Sequence, residues 1–262
     1  MEVPIYSIKG KASKKSAKLP DAFNEPVRLD LIRKAVRASR ANRRQPYGAS
    51  KGAGFRHSVS WPGKGRGMAR TPRKNGGGGR GAEAPNTIGG RRAHPPKAEK
   101  DWTLKINSKE NKKAFKSALA ATSKESYVLA RGHQIPEKAT LPYVVEDKIE
   151  TLAKDNEGGS LTKRATSLLE DLGLLGDVKR ARDGKGIRAG KGKSRGRKYR
   201  TPKSVLLVLS EDSDSERAFR NLSGVDVTTS KNLNTELLAP GGDPGRLVIF
   251  SKSAVSALGE RL

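Results

Sequence analysis

Arginine and glycine recur together in three stretches: GKGRGMARTPRK from Gly63 to Lys74, GGRRAHPPKAEKD from Gly89 to Asp101, and RAGKGKSRGRKYRTPK from Arg188 to Lys203. Arg presents a planar fork of donors that matches phosphate oxygens and base edges, and its flat face stacks on bases. Gly lets a backbone lie directly against phosphate and turn freely. Tyr47, Phe55 and Trp61 in the first region and Tyr199 in the last supply ring faces for unpaired bases. Pro95-Pro96 straightens the chain. The chemistry on offer is capture of a phosphate backbone together with unpaired bases, which is RNA recognition. A surface that only had to stay soluble would mix both charge signs.

Other chemistries find less support. No stretch fits the phosphate-loop pattern G-x-x-x-x-G-K-[ST], and Gly63–Met68 has neither a strand before it nor a helix after it. The Gly/Lys-rich run from Gly184 to Gly196 fails the same test of context. His57 and His94 sit in the basic region, where stacking or phosphate bonding suits them better than metal; His133 has no evident partner. Asp212, Asp214 and Glu216 follow an apolar run and read as the first turn of the next helix rather than a Mg²⁺ site. No nucleophile–base pair stands out by spacing. No metal, cofactor or catalytic residue is expected.

The charge has a location. The chain has 262 residues and a net charge of +27. Residues 40–100 carry 15 Lys/Arg against two acids, and residues 179–203 carry 12 against one, which accounts for 24 of the 27 excess charges. Such an excess calls for a polyanion. Residues 40–100 also hold 13 of the 29 Gly and only six large apolar or aromatic residues. These cannot offset backbone ordering at about 1–2 kcal/mol per residue, so this region is expected to order on RNA rather than around a core of its own. The longest apolar run, Val205 to Leu209, is five residues, against about 20 for a membrane span. The opening MEVPIYSIKG has no long hydrophobic stretch, so no secretory signal is expected. With no Cys there is no disulfide framework.

Something must position these stretches, and the remaining, nearly neutral chain alternates strand and helix. Strands are expected over 3–8, 143–145, 205–209, 225–227 and 247–250. Helices are expected from Asn24, with Pro26 in the first turn, to Arg40; over 108–121, with Asn107 and Glu110 as a capping box; and after Ser160, with Leu161, Ala165, Leu168, Leu169 and Leu172 on one stripe. Further helices are expected over 215–222, around 235–238 and from Ser253. This is an α/β chain: one domain over 1–262, its mostly parallel sheet flanked by helices, with a long irregular basic loop over 43–100 inserted in it and a second basic extension over 179–203.

NRRQPYG (Asn42 to Gly48), GKGRGMARTPR (Gly63 to Arg73), GGRRAHPPKAEKDWTLKINSKE (Gly89 to Glu110), RAGKGKSRGRKYRTPKS (Arg188 to Ser204) and KNLNTELLAPGGDPGRL (Lys231 to Leu247) occur in collinear order. Together they resemble the archaeal branch of the universal large-subunit ribosomal protein four family. The resemblance implies an α/β body on the outer side of the cytoplasmic large subunit, bound to large-subunit rRNA and neighbouring ribosomal proteins. It also implies a long loop threading inward to the wall of the polypeptide exit tunnel, beside the nascent chain. The residues expected on rRNA are Arg43, Arg44, Lys51, Arg56, Trp61, Lys64, Arg66, Arg70, Arg73, Lys74, Arg80, Arg91, Arg92, His94 and Lys97 in the loop, with Arg188, Lys191, Lys193, Arg195, Arg197, Lys198, Tyr199 and Arg200 in the extension. Gly63, Gly65, Arg66, Gly67, Met68 and Arg70 are expected nearest the tunnel. The competing expectation is an RNA-modifying enzyme whose basic loops grip its substrate.

Overall fold

The computed structural model describes residues 1–136, 139–152 and 160–262. They divide into two compact units, Met1–Arg40 with Leu104–Leu262, and Ala41–Thr103. In chain order the elements are β1 (Glu2–Tyr6), β2 (Ala12–Lys18), α1 (Leu29–Asn42), β3 (Val59–Ser60), β4 (Arg73–Lys74), α2 (Ser108–Thr122), α3 (Glu125–Ala130) and β5 (Tyr143–Val145). They continue as α4 (Leu161–Asp171), α5 (Leu175–Asp183), β6 (Gly186–Ile187), β7 (Tyr199–Arg200), β8 (Leu206–Leu209), α6 (Ser215–Phe219), β9 (Asp226–Thr229), α7 (Thr235–Leu238), β10 (Val248–Ser251) and α8 (Lys252–Arg261).

The first unit is built on a six-stranded sheet in the order β2-β1-β5-β10-β8-β9, parallel except for the antiparallel β1–β2 edge. Its central strands are buried on both faces. Leu206, Val208, Val248, Phe250 and Val144 belong to one apolar cluster with Ile32, Val36, Leu119 and Leu258, residues of α1, α2 and α8. Val205, Leu207, Leu209, Leu247, Ile249, Tyr143 and Val145 belong to a second cluster with Leu168, Leu169, Val178 and Phe219, residues of α4, α5 and α6. Side chains alternate across a strand, so a strand covered on both sides reads as an unbroken apolar run.

Several local expectations are corrected. Residues 21–24 form a short 3-10 turn and α1 begins only at Leu29. Glu25, which precedes Pro26, is extended with ψ 149°, because a following proline disfavours the helical region. The Pro26 carbonyl instead accepts the Ser117 hydroxyl at 2.8 Å. Only half of the expected capping box forms: the Asn107 side chain makes no capping bond, while the Glu110 carboxylate accepts the Asn107 N–H and pairs with Lys34 at 2.7 Å. Strand β2 and helices α3 and α5 are additions. Asp214 precedes α6 without capping it, and among the described residues no three His, Cys, Asp or Glu side chains gather as a metal site. Among those residues, too, no helix is long and apolar enough to cross a membrane.

Two polar clusters brace the body. Arg246, fully buried, donates to the carbonyls of Ser204 (3.0 Å), Leu237 (3.1 Å), Gly224 (3.3 Å) and Val205 (3.4 Å). Its Nη2 lies 2.7 Å from Asp226 Oδ2. Asp226 also pairs with Lys203 at 2.8 Å. His133 is not without a partner: it is buried with Nδ1 3.0 Å from Asp177 Oδ2, while Arg180 Nε donates to Asp177 Oδ1 at 2.8 Å. Burial opposes ionisation of Asp177, but bonds from His133, Arg180 and the Gln134 N–H outweigh it and hold the carboxyl below its usual range. For Asp226, Arg246 and Lys203 outweigh burial in the same direction.

Arg246→Ala leaves the Ser204 and Leu237 carbonyls without their donor and Asp226 with Lys203 alone, and is expected to lower stability by about 3–5 kcal/mol in urea denaturation. A carboxylate whose pKa is depressed by folding stabilises above its unfolded value and loses that stabilisation as pH falls through the folded one. The free protein is therefore expected to weaken progressively below about pH 4. Asp177→Asn should flatten that acid loss in melting temperature measured against pH.

Candidate nucleic-acid interface

The second unit, Ala41–Thr103, is organised almost without an apolar core: only Pro72 and Ala82 are buried in it. Strands β3 and β4 pair over two residues each, Val59 opposite Lys74 and Ser60 opposite Arg73. Beyond them residues 61–72 form the tip, where Trp61 is 69% exposed and Lys64, Arg66, Met68 and Arg70 face solvent. Below the tip, Arg73 bridges to Gly81 and its Nη1 donates to the Gly79 carbonyl, while the Ala82 N–H donates to Pro72 O at 2.8 Å.

At the root of the loop the outgoing and returning segments close on each other. The Ala49 N–H donates to Pro96 O at 3.0 Å. Gly54 has φ +80°, and a Cβ there would stand 2.5 Å from Arg91 Cα, so only glycine permits the approach. Tyr47 stacks on Trp102 with ring centroids 5.7 Å apart and planes 16° from parallel. The Arg44 guanidinium lies 3.9 Å over Trp102, and Lys100 Nζ sits 4.6 Å from the same ring. Such cation–ring contacts hold a segment that has little hydrophobic burial to offer. The rings of Tyr47 and Phe55 are therefore engaged within the unit, Phe55 under Arg91 at 5.7 Å, and Trp61 is the open stacking surface. Trp102 went unrecognised in the sequence, where only its place just after the basic run marks it.

The second extension belongs to the body unit. Its first residues, Lys179 to Asp183, are the end of α5, with Ala181 buried, so the irregular part begins at Gly184. Strands β6 and β7 pair antiparallel, Ile187 opposite Tyr199. Arg188 Nε donates to the Tyr199 carbonyl at 3.2 Å, and the N–H groups of Arg195 and Arg197 both reach Gly192 O at 3.1 Å. Tyr199 carries Lys185 and Lys198 ammonium groups 4.7 and 5.5 Å from its ring. Arg188, Lys191, Lys193, Arg195, Arg197, Lys198, Tyr199 and Arg200 are all exposed. The far end is fixed where Arg180 donates to Lys203 O at 2.9 Å and Arg246 to Ser204 O.

Electrostatically the two extensions are alike. Among the described residues no ion pair engages Lys51, Arg56, Lys64, Arg66, Arg70, Lys74, Arg80, Arg92 or Lys97, nor any Lys or Arg from Arg188 to Arg200. Asp101 turns inward to the Thr103 N–H and hydroxyl, which hold its carboxyl below the usual range. His94 is exposed, beside the groove bounded by Tyr47, Arg92, Pro96 and Trp102. The arrangement is a cationic surface with its charges left for an external polyanion.

The two tryptophans report on this surface separately. In a Trp102→Phe variant the remaining emission, from Trp61, is expected to be quenched readily by acrylamide. In Trp61→Phe the emission of Trp102, covered by Arg44 and Lys100, should be quenched several-fold less; equal quenching would mean the root stack is not formed.

Comparison with known proteins accords with this geometry. The sequence profile described as the ribosomal protein L4/L1 family matches residues 17–261. Similar proteins include large ribosomal subunit protein uL4 of Halobacterium salinarum, 48% identical over 243 residues and 93% of either chain. The protein of the same name from Methanopyrus kandleri is 46% identical over 100% of this chain and 99% of its own. That of Haloquadratum walsbyi is 46% identical over the full length of both. With nearly every residue inside the matched region, the chain belongs to the ribosomal protein L4/L1 family.

Proposed function

We propose that this protein is a structural constituent of the large ribosomal subunit that binds large-subunit rRNA through its two basic extensions. In this reading residues 1–262 are one α/β domain with the loop of residues 43–100 inserted in it, and the tip around Gly63, Gly65, Arg66, Gly67, Met68 and Arg70 reaches the polypeptide exit tunnel beside the nascent chain. The family is one of structural proteins, and the chain is not an enzyme. The observation that carries the rRNA reading is the set of exposed cations, among them Lys64, Arg66, Arg70, Lys191, Lys193 and Arg195, that form no ion pair among the described residues and stand on segments with almost no apolar core. A polycation of this kind gains order and affinity together when phosphates neutralise it. The family's name for its members, large ribosomal subunit protein, points to the same polyanion. Body residues outside the extensions are nearly neutral and suit contact with neighbouring ribosomal proteins.

Crosslinking within purified ribosomes tests the placement: residues 61–72 should map to rRNA lining the tunnel, and residues 188–200 to rRNA elsewhere in the large subunit. Affinity for a large-subunit rRNA fragment should fall steeply with salt. If about ten of the 27 basic residues in the two regions meet phosphate, the log–log slope is near −7 to −9. A slope shallower than about −3 would show that the charge does not serve phosphate contacts.

A further inference from the structure

The body sums to near neutrality, but its cations are not spread evenly over it. Residues 105–116 hold five Lys and a single acid, Glu110. Four of these lysines, Lys109, Lys112, Lys113 and Lys116, stand at i, i+3, i+4 and i+7 on α2 and form one stripe about 10 Å long. It lies on the side of the helix away from the fully buried Ala114 and Ala118. Lys109, Lys112 and Lys113 are exposed and Lys116 is half-buried. Glu110 does not serve them, because its carboxylate is taken by Lys34 and the Asn107 N–H. Among the described residues none of the four enters an ion pair.

A helix that only had to fold would avoid this arrangement. Lys109 stands in the first turn, where the helix dipole disfavours a cation. The stripe also holds four like-charged pairs at i,i+3 or i,i+4 spacing, and each of them weakens a helix. Local rules broken without a compensating contact inside the chain mark a place that serves a partner. Beside the stripe runs a groove of about 210 Å³, lined by Asn111, Lys112, Phe115, Lys116, Asn234 and Arg261 among others. Arg261 is committed within the protein, to the carbonyls of Ser230 (2.5 Å) and Leu233 (3.0 Å) and over the Phe115 ring at 5.1 Å. That leaves ammonium groups and side-chain amides as the open chemistry. Ammonium groups are point charges that meet phosphate without demanding the geometry of a base.

We infer that the α2 stripe is a third RNA-binding surface, on the body itself, which takes the sugar–phosphate backbone of large-subunit rRNA along the groove beside it. This rests on the rRNA reading and adds to it residues outside both basic extensions. The extensions offer Arg, Gly and rings that reach bases; α2 offers a straight row of Lys that grips backbone and sets how the body is seated. An acidic segment of a neighbouring protein is the other occupant that the charge would admit. The row favours RNA, because a nucleic-acid strand presents its charges at short, regular intervals along a line.

Full-length protein and intact large-subunit rRNA provide the test. The variant Lys109→Gln, Lys112→Gln, Lys113→Gln removes three exposed charges and keeps good helix formers in place. At about 0.7–0.9 per lost phosphate contact, its log–log salt slope is expected to be shallower than the parent's by about 2–3, with affinity at least about tenfold weaker. Its melting temperature should be unchanged or higher, since repulsion along the helix is relieved. The matching Lys→Arg variant should keep the parent slope. In purified ribosomes, a photoreactive side chain at position 113 of the full chain should capture rRNA. An unchanged slope in the Gln variant, a lowered melting temperature, or capture of a protein instead of rRNA would overturn the surface. A parent slope near zero would instead sink the rRNA reading itself, on which the surface depends.

Discussion

A guanidinium sealed inside the body holds together the place where the second basic extension returns to the sheet. Arg246, at the entry to β10, reaches the carbonyls at the start of β8, the turn before β9 and the end of α7. Carbonyls outside a strand's regular ladder need a donor, and one planar group with five N–H bonds serves several of them at once. Its charge is met by Asp226, which also receives Lys203, the last cation of the extension. Burial pulls the guanidinium's pKa down and Asp226 resists that pull, so the arrangement stands only as a pair. Beside the ladders that pair β8 with β9 and β10, it ties the root of the extension to the sheet.

From that root outward the physics changes. The body is ordered by apolar strands covered on both faces. Residues 41–103 and 184–200 are ordered by hairpins of two-residue ladders, glycine turns and cations laid on rings. Such contacts contribute on the order of 0.5–1 kcal/mol each at exposed sites, enough to bias a shape and too little to enforce it. Phosphate is the missing counterpart: it removes the repulsion among unpaired cations and supplies acceptors for free donors.

The sequence was most legible where one residue type had one reason to be there. Val205 to Leu209 and Leu247 to Phe250 announced strands buried on both faces, and the leucine stripe after Ser160 announced α4. The Arg/Gly stretches announced the exposed segments, because neither residue type in such density can build a core. Illegible features arise from partners far apart in the chain. Arg44 and Tyr47 meet Trp102, His133 meets Asp177, and neither junction has a local signature. The start of α1 has no clear mark in the sequence, because Pro26 suits a first helical turn as well as the extended link it occupies. Strand β2 is equally unmarked, because ASKKSAK buries a single residue, Ala17, and shows no alternation.

That unassuming strand has a role in the life of the molecule before assembly. β2 closes one side of the sheet, so its outer row of backbone donors and acceptors is an open template for another chain. Lys14, Lys15 and Lys18 stand exposed along it, with Lys9 and Lys11 in the turn that leads in. Two copies approaching edge to edge would bring these ammonium groups together, and their repulsion disfavours the pairing. The lysines of β2 thereby turn one of the sheet's two edges into a surface that disfavours pairing with a second copy.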